Sequence, residues 1–153
     1  MLHWYSISYL ISMVILALGI IMGIISLSFF MFSIPVHGAP FLKSSILATL
    51  ISTICIITSY KKEEMNLTSR DAFFLTTMLW VVSSAIGGLP FYFSIKNYSI
   101  LDSTFDAASA LTTTGFKLHI PFRTNTHVII VWRSILQCLG GVGIIATIIT
   151  IFP

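Results

Sequence analysis

The chain has 153 residues, of which 56% are hydrophobic and only 8% are charged, eight of them basic and five acidic. A soluble domain carries roughly a quarter charged residues, and the mean hydropathy of +0.98 agrees with the excess of apolar side chains. This composition excludes soluble, disordered, collagen-like, disulfide-rich and nucleic-acid-binding classes, and it predicts an integral membrane protein.

Charged residues divide the chain into four apolar segments. Residues 1–42, 44–60, 72–95 and 134–153 contain no Asp, Glu, Lys or Arg. A hydrocarbon core about 30 Å thick needs roughly 20 helical residues, with about 17 as the lower limit. The alternative for the first segment, a cleaved signal peptide, lacks a basic N-terminal region and has too long an apolar stretch. Four transmembrane helices are therefore predicted, at residues 6–33, 44–60, 71–93 and 127–152.

Basic residues in short loops favour the cytoplasmic side of a membrane. The segment 61–70 holds three of them, so it is predicted to be cytoplasmic. The first connection, at residues 35–43, holds a single Lys and is predicted to be external, and both termini are then cytoplasmic. The connection 94–126 also holds three basic residues, at lower density, which argues against this orientation.

The connection between the third and fourth helices begins as a short helix. Asp102 or Ser103 can cap its start, and Ser103 with Asp106 has the spacing of a capping box in which Asp replaces the usual Glu. The Ala-rich stretch up to Leu111 favours a helix over residues 102–111. Roughly ten residues at 1.5 Å each span about 15 Å, which is half a membrane. A re-entrant segment is therefore predicted.

Thr112, Thr113, Thr114 and Gly115, called the filter segment below, break the helical pattern with three β-branched residues and a glycine. An extended segment is predicted, and non-helical backbone at membrane depth is tolerated only where it lines a water-filled cavity or is buried in protein. Consecutive carbonyl oxygens can replace the hydration shell of a potassium ion, and Gly115 can take the φ values that turn a carbonyl toward the pathway. An ordinary threonine-rich external loop is the alternative.

Four motifs stand in order along residues 70–153. GGLPF ends the third helix, DSTFD and LTTTG follow in the connection, and WRSILQCLGGVGII lies in the fourth helix. In this order they resemble the first pore repeat of the Trk/Ktr/HKT superfamily of potassium transporters, closest to its bacterial TrkH branch. The resemblance covers a little over half of the chain, and the first two helices match only in number and position.

The resemblance implies an all-α membrane protein with four transmembrane helices plus a re-entrant pore helix and an extended filter segment between helices 3 and 4. Residues 1–62 would be two N-terminal transmembrane helices, 63–70 a cytoplasmic loop, and 71–153 a helix, pore loop and helix repeat. The backbone carbonyls of Thr112, Thr113, Thr114 and Gly115 would bind potassium. In the family a Ser in place of this glycine goes with sodium preference, so the Gly fits the potassium-permeable pattern.

Further residues are predicted to support the filter segment. Gly140, Gly141 and Gly143 lie inside the fourth helix, where small residues let helices approach closely; a hinge beneath the filter is the alternative. Arg133 lies about six residues into the same helix, so its charge must pair or reach the membrane surface along its own stem. Asp106 is the acid predicted to pair with it.

The predicted function is potassium transport in the cell inner (plasma) membrane, as one pore repeat of a TrkH-type uptake protein. One filter segment cannot surround an ion, so other repeats on separate chains or self-association are expected, unless the chain is a nonfunctional truncated fragment. An ending between repeats suits a split or truncated gene. A cytosolic nucleotide-binding regulatory subunit, as the family uses, would be a further partner.

Other classes of function have less support in the sequence. Neither a cofactor nor a nucleic-acid partner is expected. An enzyme is not predicted, because the sequence lacks a Ser/His/Asp set, a catalytic pair of acids and a metal-binding cluster. The alternative function is that of a small structural or accessory membrane protein that conducts nothing.

Overall fold

The computed structural model describes residues 4–32, 35–59, 69–116 and 126–151. These residues form five α-helices, of which all but α4 are long and apolar enough to cross a membrane. The all-α fold and the four spans predicted from the sequence are confirmed. Most of the predicted cytoplasmic loop 63–70 lies outside the described residues. The helices are α1 (Trp4–Met31), α2 (Pro35–Ser59), α3 (Ser69–Ser94), α4 (Ile100–Leu111) and α5 (Thr126–Ile151).

Helix α2 begins at Pro35 and not near residue 44. The stretch 35–43, predicted as an external connection, is therefore the start of a helix, so the prediction of a connection there is wrong, while its side of the membrane stays a prediction. Proline fits the first helical position because the N–H there needs no partner within the helix. Lys43, which ended the charge-free segment, lies on the helix with its Nζ 6.0 Å from the ring centroid of Phe93. A single charge marks the end of an apolar run but does not end a helix, because a long stem can carry it to a polar region.

Helices α1 and α2 form a close antiparallel pair. A Cβ added to Gly19 would lie 2.9 Å from Thr49 Cγ2, and one added to Gly23 would lie 3.0 Å from Ser45 Oγ. The Ser45 hydroxyl donates to the Gly19 carbonyl at 2.8 Å. Small residues in membranes allow such close approach and such interhelical hydrogen bonds. The two N-terminal helices therefore form one unit, which packs against α3.

The buried core lies where α3, α4 and α5 meet α1 and α2. Trp132 is fully buried and stands edge-on to Phe41, with 5.7 Å between the ring centroids. Its indole N–H donates to the Gly87 carbonyl of α3 at 2.9 Å. Apolar burial alone gives little driving force in lipid, so helix association depends on such hydrogen bonds and on close packing. Trp132 thereby fixes α5 against α3.

Candidate functional site

Helix α4 begins one turn earlier than its predicted capping box. Ser99 is the N-cap: its Oγ accepts the Asp102 N–H at 3.0 Å, and the Asp102 carboxylate accepts the Ser99 N–H at 3.2 Å. The predicted box of Ser103 with Asp106 is wrong. Two Ser-x-x-Asp pairs follow one another in this segment, and the second lies inside the helix, where Ser103 donates to the Ile100 carbonyl at 2.8 Å. Asp106 is thereby available for a contact with another helix.

Helix α4 lies against glycines of both neighbouring helices. A Cβ added to Gly88 of α3 would lie 2.9 Å from the Ser103 carbonyl oxygen. A Cβ added to Gly140 of α5 would lie 1.8 Å from the Leu111 carbonyl oxygen. Both obstacles are backbone atoms, which cannot rotate away as a side chain can. The two glycines therefore fix the start and the end of α4.

The three glycines of α5 have different surroundings. Only Gly140 makes the close backbone contact with α4. A Cβ on Gly141 would meet nothing within 4 Å, and one on Gly143 would come no closer than 4.0 Å to Trp80. Close packing of α4 on α5 is therefore a property of Gly140 alone among these three residues.

The filter segment begins as a turn. Thr112 has φ −73° and ψ 2° and caps α4, while Thr113 has φ 57° and its N–H bonds to the Ala110 carbonyl at 3.0 Å. A left-handed residue directly after the cap is a common way to end a helix. The predicted extended conformation is therefore wrong for Thr112 and Thr113. Gly115 has φ 76°, in the region that a glycine enters without steric cost.

The backbone from Thr112 to Phe116 divides into two parts by its hydrogen bonds. All five residues are exposed. Within the described part of the chain, no hydrogen-bond donor reaches the carbonyl oxygens of residues 112–115. The Phe116 carbonyl accepts two hydrogen bonds, from Ser109 Oγ at 2.9 Å and from Arg133 Nη2. Among the described residues, four neighbouring carbonyls thus accept no hydrogen bond, while the next one accepts two.

Arg133 and Asp106 form a buried ion pair. Arg133 Nη1 lies 3.1 Å from Asp106 Oδ1, and the two side chains are 4% and 1% exposed. Among the described residues Nη1 has no partner with hydrogen-bond geometry, so its contact with Asp106 is one of opposite charges at short range. The predicted pairing is present, and both charges are buried within the protein.

Tyr98 completes this cluster from the turn before α4. Its hydroxyl donates to Asp106 Oδ2 at 2.5 Å. Burial, together with this hydrogen bond to a carboxylate, raises the pKa of Tyr98 well above its ordinary value near 10. The phenol therefore stays protonated and remains a donor throughout the physiological pH range. Asp106 is thus contacted from α5 and from the turn before its own helix.

Comparison with known proteins identifies the family. The model of the TrkH family, described as a cation transport protein, matches residues 37–153. The chain belongs to this family. It is 38% identical over 94 residues to the Trk system potassium uptake protein TrkH of Escherichia coli (strain K12), a match that covers 61% of this chain and 20% of that protein.

Two further relatives extend this similarity. The Trk system potassium uptake protein TrkI of Halomonas elongata is 35% identical over 89 residues, which cover 58% of this chain and 18% of that protein. An uncharacterized cation transporter of Methanocaldococcus jannaschii is 30% identical over 125 residues, which cover 82% of this chain and 26% of that protein. The chain spans about a fifth to a quarter of the length of these curated relatives.

TrkH membership confirms the resemblance inferred from the four sequence motifs. It makes the chain a member of a transport family and not of an enzyme family. The four long apolar helices agree with a multi-pass membrane protein. Part of the chain is homologous to potassium uptake proteins of the Trk system.

Sequence reasoning missed three residues of the site. Ser109 lies within an Ala-rich helix, and its hydroxyl donates to the Phe116 carbonyl. Phe116 contributes its backbone carbonyl, which any residue would supply, and Tyr98 lies in a turn. A signal was available only for Ser109, because serine is a poor helix former and a buried one usually donates to a carbonyl.

Proposed function

We propose that this chain supplies one pore repeat of a potassium uptake protein in the cell inner membrane. In this proposal α4 is the re-entrant pore helix, and the backbone carbonyls of Thr112, Thr113, Thr114 and Gly115 bind the permeating ion. The observation that carries the proposal is a short helix, held between two membrane spans, that ends in four carbonyl groups with no donor among the described residues. Membership of a cation transport family supports it.

The electrostatics of α4 favour a cation at its C-terminal end. The last carbonyls of a helix carry a partial negative charge of about half an electron. Thr112 follows directly on that end, and the Arg133 charge nearby is compensated by Asp106 at 3.1 Å. Carbonyl oxygens replace the hydration shell of a potassium ion in known channels. The filter segment thus combines the ligands and the local potential that potassium requires.

A complete pathway needs more than this chain. One filter segment offers oxygens from one side only, and the chain spans about a fifth of the Trk potassium uptake proteins TrkH and TrkI. The other repeats would come from separate chains or from further copies of this one, with a cytosolic nucleotide-binding subunit as regulator. Residues 71–153 would form the helix, pore loop and helix repeat. Residues 1–62 would be the two accessory spans, joined to it by the cytoplasmic loop 63–70.

Substitution of Gly115 tests the proposal. Its φ of 76° penalises any residue with a Cβ, and a hydroxymethyl group would disturb the carbonyls beside it. In cells that supply the missing repeats, Gly115→Ser should lower the preference for potassium over sodium, and Gly115→Asp should abolish uptake. The assay is potassium-limited growth together with ion flux, normalised to the amount of protein in the membrane.

The matched control is Gly141→Ala, because a Cβ at that position meets nothing within 4 Å. It should leave ion preference unchanged. An unaltered potassium to sodium ratio in a conducting Gly115→Ser assembly would contradict the filter assignment. Absence of flux under every condition would instead identify a structural or accessory membrane protein that conducts nothing.

A further inference from the structure

Two buried residues, Ser109 and Arg133, make hydrogen bonds to the backbone at the end of the filter segment. The Ser109 carbonyl accepts the Gly115 N–H at 3.2 Å, and the Ser109 hydroxyl donates to the Phe116 carbonyl at 2.9 Å. Arg133 Nη2 donates to the same Phe116 carbonyl from α5. The consecutive residues Gly115 and Phe116 therefore have three backbone hydrogen bonds to the protein, while the carbonyls of residues 112–115 accept none among the described residues.

We propose that Ser109 and Arg133 are positioning residues for ion selection, an inference that rests on the proposed filter function. Helix α4 fixes the Thr112 end of the segment through its last hydrogen bonds. Ser109 and Arg133 fix the other end at Gly115 and Phe116. With both ends fixed, the four carbonyls between them keep one direction. Selection by carbonyl oxygens depends on how these groups are held around the ion.

Arginine is suited to this position because its guanidinium has two outer nitrogens in one plane. Nη1 lies against the Asp106 carboxylate while Nη2 reaches the Phe116 carbonyl. A lysine ammonium carries all its donors on one nitrogen and lacks the planar fork that places separate nitrogens at these two partners. Asp106 also cancels the charge, since an uncompensated cation beside the filter segment would repel potassium. Tyr98 fixes the other carboxylate oxygen.

The structure offers a matched control for Ser109. Ser103 lies on the same helix and is also buried, but its hydroxyl donates to the Ile100 carbonyl inside α4. Ser109→Ala and Ser103→Ala therefore remove the same group from similar surroundings, and only the first removes a bond to the backbone after the filter segment. Arg133→Lys keeps the positive charge beside Asp106 and removes the planar fork.

The first measurement is the ratio of apparent affinities for potassium and sodium in cells that supply the missing repeats. This ratio does not depend on the number of assembled pores, so a purely structural loss of protein would not change it. Loss of one net hydrogen bond corresponds to roughly a fivefold effect. Ser109→Ala and Arg133→Lys should each lower the ratio about fivefold by that measure, and Ser103→Ala should leave it within about twofold.

The second measurement needs no conduction. The chain has nine glycines, so selective ¹⁵N-glycine labelling of the full chain in detergent gives nine backbone amide signals. The Gly115 signal is identified by its loss in Gly115→Ser. Its hydrogen exchange should become roughly fivefold faster in Ser109→Ala and in Arg133→Lys. Hydrogen exchange at the other eight glycines should stay unchanged in these two variants. In Ser103→Ala, exchange should stay unchanged at all nine glycines.

Each outcome separates this inference from the proposed function. Unchanged exchange at Gly115 in both variants would overturn the inference. Faster exchange with an unchanged ion ratio would also overturn it, because the contacts would then be structural only. If Gly115→Ser shifts the ion ratio while Ser109→Ala and Arg133→Lys do not, the filter assignment stands and the positioning role fails. If Gly115→Ser leaves the ratio unchanged, the filter assignment itself fails.

Discussion

Gly140 is the position where the structure predicts the largest effect of a single methyl group. In Gly140→Ala the new Cβ would lie 1.8 Å from the Leu111 carbonyl oxygen, whereas ordinary contacts of a Cβ begin at 3.4 Å. Helices α4 and α5 would have to move apart there until this distance returns to the ordinary range. The obstacle is a backbone carbonyl at the end of α4, so no change of side-chain rotamer relieves it.

The magnitude follows from what this separation disrupts. Overpacking a buried contact costs about 1–3 kcal/mol and occasionally more. A radial gap of about 0.5–1 Å already forfeits a quarter to a half of the dispersion energy of the atoms beside it. Leu111, whose carbonyl forms this contact, is almost fully buried. The free energy of unfolding should therefore fall by about 3 kcal/mol, at the upper end of the overpacking range.

The assay is reversible unfolding in mixed detergent micelles, followed by circular dichroism and tryptophan fluorescence. Gly141→Ala is the control on the same helix, since its Cβ meets nothing within 4 Å. Alanine is favoured over glycine in soluble helices by up to about 1 kcal/mol, so this variant should be neutral or slightly more stable. Equal destabilisation of the two variants, or a Gly140→Ala variant as stable as the wild type, would refute the reasoning.

Three further predictions concern the cluster, the cap and the topology. Asp106→Asn and Arg133→Met should each lower the free energy of unfolding by about 3–5 kcal/mol, because each leaves a lone buried charge without compensation. The double variant should lower it by less than either single change. Additive effects in a double-mutant cycle would argue against the pair. Ser99→Ala should cost about 1 kcal/mol in thermal unfolding through loss of the N-cap, and an unchanged midpoint would argue against the capping box. With the two native cysteines replaced, Lys96→Cys should react with an impermeant reagent from outside and Asn66→Cys should not; the opposite pattern would invert the proposed orientation.

The spans could be predicted from the sequence because length and apolar content determine them directly. α4 was predicted within two residues at its start and correctly at its end, since the Ala-rich run ends where three β-branched residues begin. The start of α2 was missed because Lys43 ended the charge-free run. Charge patterns locate the apolar part of a helix, while the helix itself continues as far as its backbone hydrogen bonds can form.

The detailed conformation of the site could not be predicted for a different reason. The left-handed φ of Thr113 and the contacts of the Phe116 carbonyl depend on backbone atoms, which all residues share. The pairing of Asp106 with Arg133 could be predicted because two opposite charges in an apolar chain restrict each other strongly. The sequence therefore predicts the pairing of buried opposite charges, whereas it does not predict which side chains bond to the Phe116 carbonyl.

The buried pair of Asp106 and Arg133 is better explained by its geometry than by any contribution to stability. Removing two charges from water costs several kcal/mol each, and apolar residues of similar volume often serve stability equally well or better. An apolar pair could fill this space between α4 and α5, but it could not donate to the Phe116 carbonyl as Arg133 does. The guanidinium needs an acid beside it to be buried, and the acid is fixed in turn by Tyr98. Each member of the cluster thus helps to hold the Phe116 carbonyl: Arg133 donates to it, Asp106 compensates the Arg133 charge, and Tyr98 fixes Asp106.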